Sequence, residues 1–160
     1  MLILSQLGAL MFVLKFAMAG LPNIEPVSLL VMVYTAALGP WALAAIYIYV
    51  LLEWLLFGLN IWSISYLYVW AILWLLAWIF RKMQSTLGWA VLGAAFGLLF
   101  GALCAIVSVF IGGVHYAITW WISGIPFDAV HCVGNFFMTL VLFAPLRKLL
   151  TTLLKKYKLV

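Results

Sequence analysis

Charge is scarce in this chain. Of its 160 residues only three are acidic and eight basic, 7% charged in all, against 70% hydrophobic residues and a mean hydropathy of +1.32. A water-soluble fold of this length cannot hide so much apolar surface, so lipid must cover the rest and the composition is that of a polytopic membrane protein. Cysteine is equally sparse. Cys104 and Cys132 stand alone in apolar stretches, outside any CxxC or Cys/His pattern, and read as small packing residues. The chain has no GxxxxGK[ST], GxSxG or HExxH motif and no triplet of metal ligands at fixed spacing, so nucleotide hydrolysis and the common hydrolase chemistries lack their machinery. No cofactor is expected. A broad basic face is missing too: the net charge of +5 is concentrated in one short loop and one tail, which does not point to nucleic acid. With no linker, no low-complexity segment and no clear internal repeat, residues 1–160 read as a single domain. Residues 17–20 (Ala-Met-Ala-Gly) look superficially like a signal-peptidase site. No basic stretch precedes them and Lys15 interrupts the apolar run, so the first segment is expected to be a retained helix.

The few charges are sorted along the chain. Spans of about 20 residues, enough to cross ~30 Å of hydrocarbon, predict five helices over about 2–19, 24–38, 41–57, 61–80 and 87–111. They stop at Gly20-Leu21-Pro22-Asn23, Gly39-Pro40, Gly58-Leu59-Asn60, Arg81-Lys82 and Gly112-Gly113. The stretch 114–124, with His115, Tyr116, Trp120, Trp121 and Gly124, reads as a broken interfacial or re-entrant segment, because aromatic rings favour the headgroup layer. A sixth helix then opens at Ile125-Pro126-Phe127-Asp128 and runs into the basic tail. The fold class expected is therefore an all-α membrane protein of six transmembrane helices with both termini cytoplasmic. Seven basic residues (Arg81, Lys82, Arg147, Lys148, Lys155, Lys156 and Lys158) then share the cytoplasmic side, while Glu25, Glu53, Asp128, His115 and His131 fall toward the outside. A five-span path would split the two basic clusters between opposite faces. The tail can also touch anionic lipid, at roughly 1 kcal/mol per basic residue.

Ionisable groups within a membrane cost about 2.5–3.5 kcal/mol each on insertion scales, so each needs a reason. Asp128, His131, Cys132 and Asn135 are spaced i, i+3, i+4 and i+7 and share one face of helix 6 in its outer half. The plain reading makes Asp128 a helix-dipole cap, with His131 and Asn135 bonding neighbouring helices; the functional one makes the stripe a ligand wall. Glu53 lies deep in helix 3, where it can pair internally with Lys15 and can also accept hydrogen bonds from a ligand, two compatible readings. Asn23 and Glu25 precede helix 2, where a carboxylate is stabilised by the dipole in any case. Trp62, Tyr66, Trp120 and Trp121 fall at the outer mouth, forming either an interfacial belt or the aromatic wall of a small-molecule site. Three acids against one outer lysine suggest a ligand that offers hydrogen-bond donors or positive charge. Trp70, Trp74 and Trp78 form a packing or lipid-facing ladder. Gly93, Gly97, Gly101 and Ala105 give helix 5 a groove for close helix approach, and Ser5 and Ala9 give helix 1 a shorter stripe on which a partner protein could dock. A competing class is an intramembrane enzyme using Glu53, Asp128 and His131 as acid/base groups or metal ligands. A third is a structural or regulatory membrane subunit.

Several of these features together resemble a known family. The six short helices, the Pro22-Asn23-Ile24-Glu25-Pro26-Val27-Ser28 entry to helix 2, Gly39-Pro40, and Gly124-Ile125-Pro126-Phe127-Asp128-x2-His131-x2-Gly134-Asn135-Phe136 are similar to S components. These are the substrate-binding membrane subunits of energy-coupling factor (ECF) vitamin transporters. The resemblance covers nearly the whole chain. It implies capture of a vitamin or related micronutrient on the extracellular half, among helices 4–6 and the outer loops, in a bacterial cell membrane. It also implies two kinds of partner, a transmembrane coupling protein and two cytosolic ATPases, with delivery by toppling within the bilayer. The family's Ala-x3-Ala docking stripe on helix 1 is here Ser5-x3-Ala9. Metal-specific relatives use a histidine near the N-terminus, where this chain has Met1-Leu2-Ile3, which argues against cobalt or nickel. The aromatic mouth suggests a flat ring system, and the Pro22-Asn23-x-x-Pro26 entry resembles that of S components linked to cobalamin, so the substrate expected is a flat heteroaromatic or tetrapyrrole-type compound.

Overall fold

The computed structural model describes residues 2–21 and 23–157. Met1, Pro22 of the helix-2 entry, and residues 158–160, including Lys158 of the basic tail, lie outside the described residues. Within them the chain is helical, with no strand. Its elements are α1 (Leu2–Ala17), α2 (Val27–Leu38), α3 (Ala42–Phe57), α4 (Ile61–Ile79) and a run Thr86–Lys156. That run is broken at Gly113 (φ 79°, ψ −179°) into α5 (86–112) and α6 (114–156). The runs Val27–Phe57, which folds back at Gly39–Trp41, Ile61–Ile79 and Thr86–Lys156 are each long and apolar enough to cross a membrane; Leu2–Ala17 is a shorter apolar helix.

Local chemistry sets the helix starts. Asn60 opens α4 with a reciprocal cap: its Oδ1 accepts from the Ser63 backbone N–H at 3.1 Å, and Ser63 Oγ accepts from the Asn60 N–H at 2.8 Å. Ser85 caps α5 by accepting from the Gly88 N–H at 3.1 Å. The second helix begins at Val27, three residues later than the sequence pattern predicts, because the Glu25 carboxylate takes the Val27 N–H at 2.9 Å and Pro26 has no N–H to offer.

The legs alternate in direction. Tyr47 donates to the Leu67 carbonyl at 2.8 Å and Trp54 Nε1 to that of Ser63 at 2.8 Å, which makes α3 and α4 antiparallel. Ser65 and Tyr68 donate to the Cys104 and Leu103 carbonyls at 3.3 and 2.7 Å and do the same for α4 and α5. α1 runs alongside α3, touching Ala45 and Ile48 through Gly8 and reaching Glu53 with Lys15. Arg81, Lys82, Arg147, Lys148, Lys155 and Lys156 consequently gather at one end, the basic end. α2 is the hub, with every residue from Val27 to Thr35 buried. A helix apolar on all sides has no lipid or water face to present and packs at the centre.

The largest departure from expectation is the stretch 114–124. It is not a broken re-entrant segment but the first three turns of α6, which continues through Pro126 and Pro145. The chain reverses only at Gly113. Inside a membrane helix a proline removes one N–H bond, a local loss that neighbouring groups absorb, and Gly124 stays helical. α5 and α6 form a hairpin in which the Gly93/Gly97/Gly101 stripe lies directly on Asn135, His131 and Asp128. α6 alone is on the order of 65 Å long, about twice a hydrocarbon core, so the hairpin overreaches the other legs.

Candidate functional site

At 12 residues α2 is roughly 18 Å long, too short to run the depth of the bundle. Its N-terminus therefore stops partway, and the space that a longer helix would fill above it is a cavity of about 400 Å3. The roof is the descending segment after α1, with Met18, Leu21, Asn23 and Glu25. The walls come from α1 (Lys15), α3 (Glu53), α4 (Trp62, Tyr66, Trp70), α5 (Phe100) and α6 (His131).

Both acids that face this space are satisfied within the protein. Lys15 Nζ lies 2.6 Å from Glu53 Oε2 and 3.3 Å from the Tyr66 hydroxyl, and sits over the Tyr66 ring at 5.0 Å from its centroid. Glu53 is only 5% exposed, so its charge depends on that partner. Glu25 caps α2 and also meets His131 Nε2 at 3.3 Å, with Ser28 Oγ 3.4 Å from the same nitrogen. The site thus holds two internal pairs, Lys15–Glu53 and His131–Glu25, bridged by a continuous aromatic surface. Tyr49 and Tyr66 stack at 6.3 Å, Tyr66 meets Trp70 edge-on at 5.4 Å, and Phe100 meets the His131 ring edge-on at 4.8 Å.

The expected residues divide. Asn23, Glu25, Glu53, Trp62, Tyr66 and His131 line the cavity. Trp120 does not, but packs on Trp62 at 4.7 Å beside it, and Trp121 is exposed on the same turn of α6. Asp128 and Asn135 lie elsewhere, which corrects the picture of one converging stripe. Asp128 Oδ1 accepts from the Gly101 N–H at 2.9 Å, and Asn135 Nδ2 donates to the Gly93 carbonyl at 3.2 Å, so both are sunk in the α5–α6 seam. The reason is steric: glycines let the backbones approach until short polar side chains reach the facing main chain. The His131 imidazole instead reaches Ser28 of α2 and Glu25 before it. Ser5 is exposed and Ala9 half-buried on α1, beside the Gly8 contact with α3. Among the Trp70/Trp74/Trp78 ladder, Trp70 is buried against the site and Trp74 Nε1 donates to the Gly39 carbonyl at 3.2 Å.

Lys15, for which the sequence leaves open pairing with Glu53 or contact with a ligand, pairs with Glu53 and lines the cavity. Its signal was present, since it is the one basic residue of eight outside the two basic clusters. Phe100 and Ser63 carried no such signal. Among the described residues no three of His, Cys, Asp and Glu gather as a metal site requires.

Fold and site together define an all-helical protein whose apolar helices are compatible with a membrane location and which encloses a polar–aromatic cavity near one end. No family model, no curated protein and no solved structure matches the chain.

Proposed function

We propose that the chain is the substrate-binding S component of an ECF-type importer in a bacterial cell membrane. In this reading it crosses the bilayer six times with the basic end in the cytoplasm, captures a vitamin-like small molecule at the outer end, and works with a coupling protein and two cytosolic ATPases. The observation that carries the proposal is the cavity above the truncated α2. Small-molecule sites are largely apolar and aromatic, measure about 300–1,000 Å3 and contain a few placed polar groups; at about 400 Å3 this one is at the lower end of that range. The volume supports a compound of one or two fused rings over a tetrapyrrole. The pairing of Glu53 with Lys15 takes one of the two cavity carboxylates out of the charge offered to a ligand, which disfavours a multiply charged cation. The residue set Glu53, Asp128 and His131 gives an enzyme reading little support, since each engages a different element.

Native mass spectrometry of the protein purified from cells grown in rich medium tests the proposal. The expected result is a stoichiometric bound small molecule whose occupancy drops in Tyr66→Ala. Protein that purifies empty, and that is not stabilised by any member of a vitamin panel, would sink it.

A further inference from the structure

A second cavity, about 360 Å3, lies at the basic end, between the residues that join α4 to α5 and the flank of α6. Arg147, Lys148 and Lys155 line it from α6, Gln84 and Thr86 line it from the other side, and Phe143 contributes to its floor. Among the described residues no carboxylate lines it. The three acids of the chain are all committed at the other half: Glu25 to Val27 and His131, Glu53 to Lys15, Asp128 to Gly101. Three like charges therefore share one concave surface with no counter-ion among the described residues that line it, an arrangement that favours an external anion. α5 also starts here, at Thr86, and the positive end of its dipole adds to the field. From the groove, α5 and α6 continue with exposed apolar residues, Leu87 and Val91 on one and Leu140 and Val141 on the other. An anion that also carries acyl chains would be matched along its whole length.

We propose that this groove binds the phosphate group of an anionic phospholipid, with the headgroup among Arg147, Lys148, Lys155 and Thr86 and the chains along the neighbouring apolar surface. Free phosphate offers the same chemistry to the same side chains, and the experiment separates the two sources.

The full chain in detergent is titrated with phosphatidylglycerol, or with phosphatidylcholine of the same acyl chains, and bound lipid is read by native mass spectrometry. Two triple variants are compared, Arg147→Gln/Lys148→Gln/Lys155→Gln in the groove and Arg81→Gln/Lys82→Gln/Lys156→Gln outside it. The second removes the same charge; its Arg81 is folded over the Trp78 ring at 4.1 Å. The expected result is a preference for phosphatidylglycerol that falls by about fivefold for each groove cation removed and survives in the outside variant. The single variant Arg147→Gln carries the same comparison if the triple variant fails to fold. Thermal stabilisation by inorganic phosphate that depends on Arg147, without a lipid preference, assigns the groove to free phosphate. Equal retention of the two lipids with no phosphate effect overturns the proposal, and so does an equal loss in both triple variants.

Discussion

Lys15 and Glu53 show how little tolerance a membrane site has for half a pair. Glu53 is nearly inaccessible, and the Lys15 side chain is 24% exposed. Removing one partner leaves a desolvated charge, which costs about 3–5 kcal/mol for a buried pair, whereas replacing both with apolar residues is often close to neutral. Lys15→Met, which strands the buried Glu53 carboxylate, is thus expected to lower thermal stability in detergent strongly, and Lys15→Met/Glu53→Leu to recover most of the loss; additive effects in the double-mutant cycle would show that the two do not interact. Asn135→Ala should behave differently. It loses one hydrogen bond to the Gly93 carbonyl, about 1 kcal/mol. It should lower stability while leaving small-molecule occupancy unchanged, and lost occupancy at normal stability would return Asn135 to the site. The pair was legible in the sequence because Lys15 is the odd basic residue. The fate of Asn135 was not, since helical spacing tells which residues share a face and not what that face meets.

At the scale of the helices, glycine decides the shape of the α5–α6 hairpin in two ways. Gly113 adopts φ 79° and ψ −179°, a region that glycine alone occupies comfortably, and a Cβ there would meet nothing within 4 Å. The cost of substitution is purely conformational. Gly113→Asn should be as harmful as Gly113→Ala, about 1–3 kcal/mol, because asparagine's tolerance extends to the left-handed helix region and not to this one. Gly97 is the opposite case: helical, but with a Cβ position 2.8 Å from the His131 carbonyl carbon, a backbone atom that cannot rotate away. Gly97→Ala should cost about 1–3 kcal/mol by overpacking, while Gly124→Ala, in open space, should be neutral or slightly stabilising. Thermal unfolding of the four variants checks the order, and a Gly113→Asn protein as stable as the parent would contradict the conformational argument. The glycine stripe and the Gly112–Gly113 reversal were readable in the sequence. The continuity of 114–124 with α6 was not readable, because aromatic rings that favour the headgroup layer fit the flank of a continuous helix as well as a broken segment.

The whole molecule is a set of legs whose common hub is shorter than the rest. A hub of 12 residues leaves a cavity on the side where α2 begins, and at its other end brings the Gly39 turn against Trp74 and Trp78. The polarity of charge follows the same axis, with Glu25, Glu53 and Asp128 toward the cavity half and six described basic residues at the far end. If the six-span reading is right, the α4–α5 connection and the end of α6 face one compartment, while the α3–α4 connection and the tip of the α5–α6 hairpin face the other. Single cysteines placed at Gln84, Thr152, Asn60 and Tyr116, all exposed, test this in a background with Cys104 and Cys132 replaced. In intact cells a membrane-impermeant maleimide should label positions 60 and 116 at once, and positions 84 and 152 only after permeabilisation. The positive-inside bias is the reason, since two basic clusters on short connections orient a bundle together. Opposite labelling of 84 and 152 would require an odd number of crossings between them, and would mean that the α5–α6 hairpin does not return through the membrane.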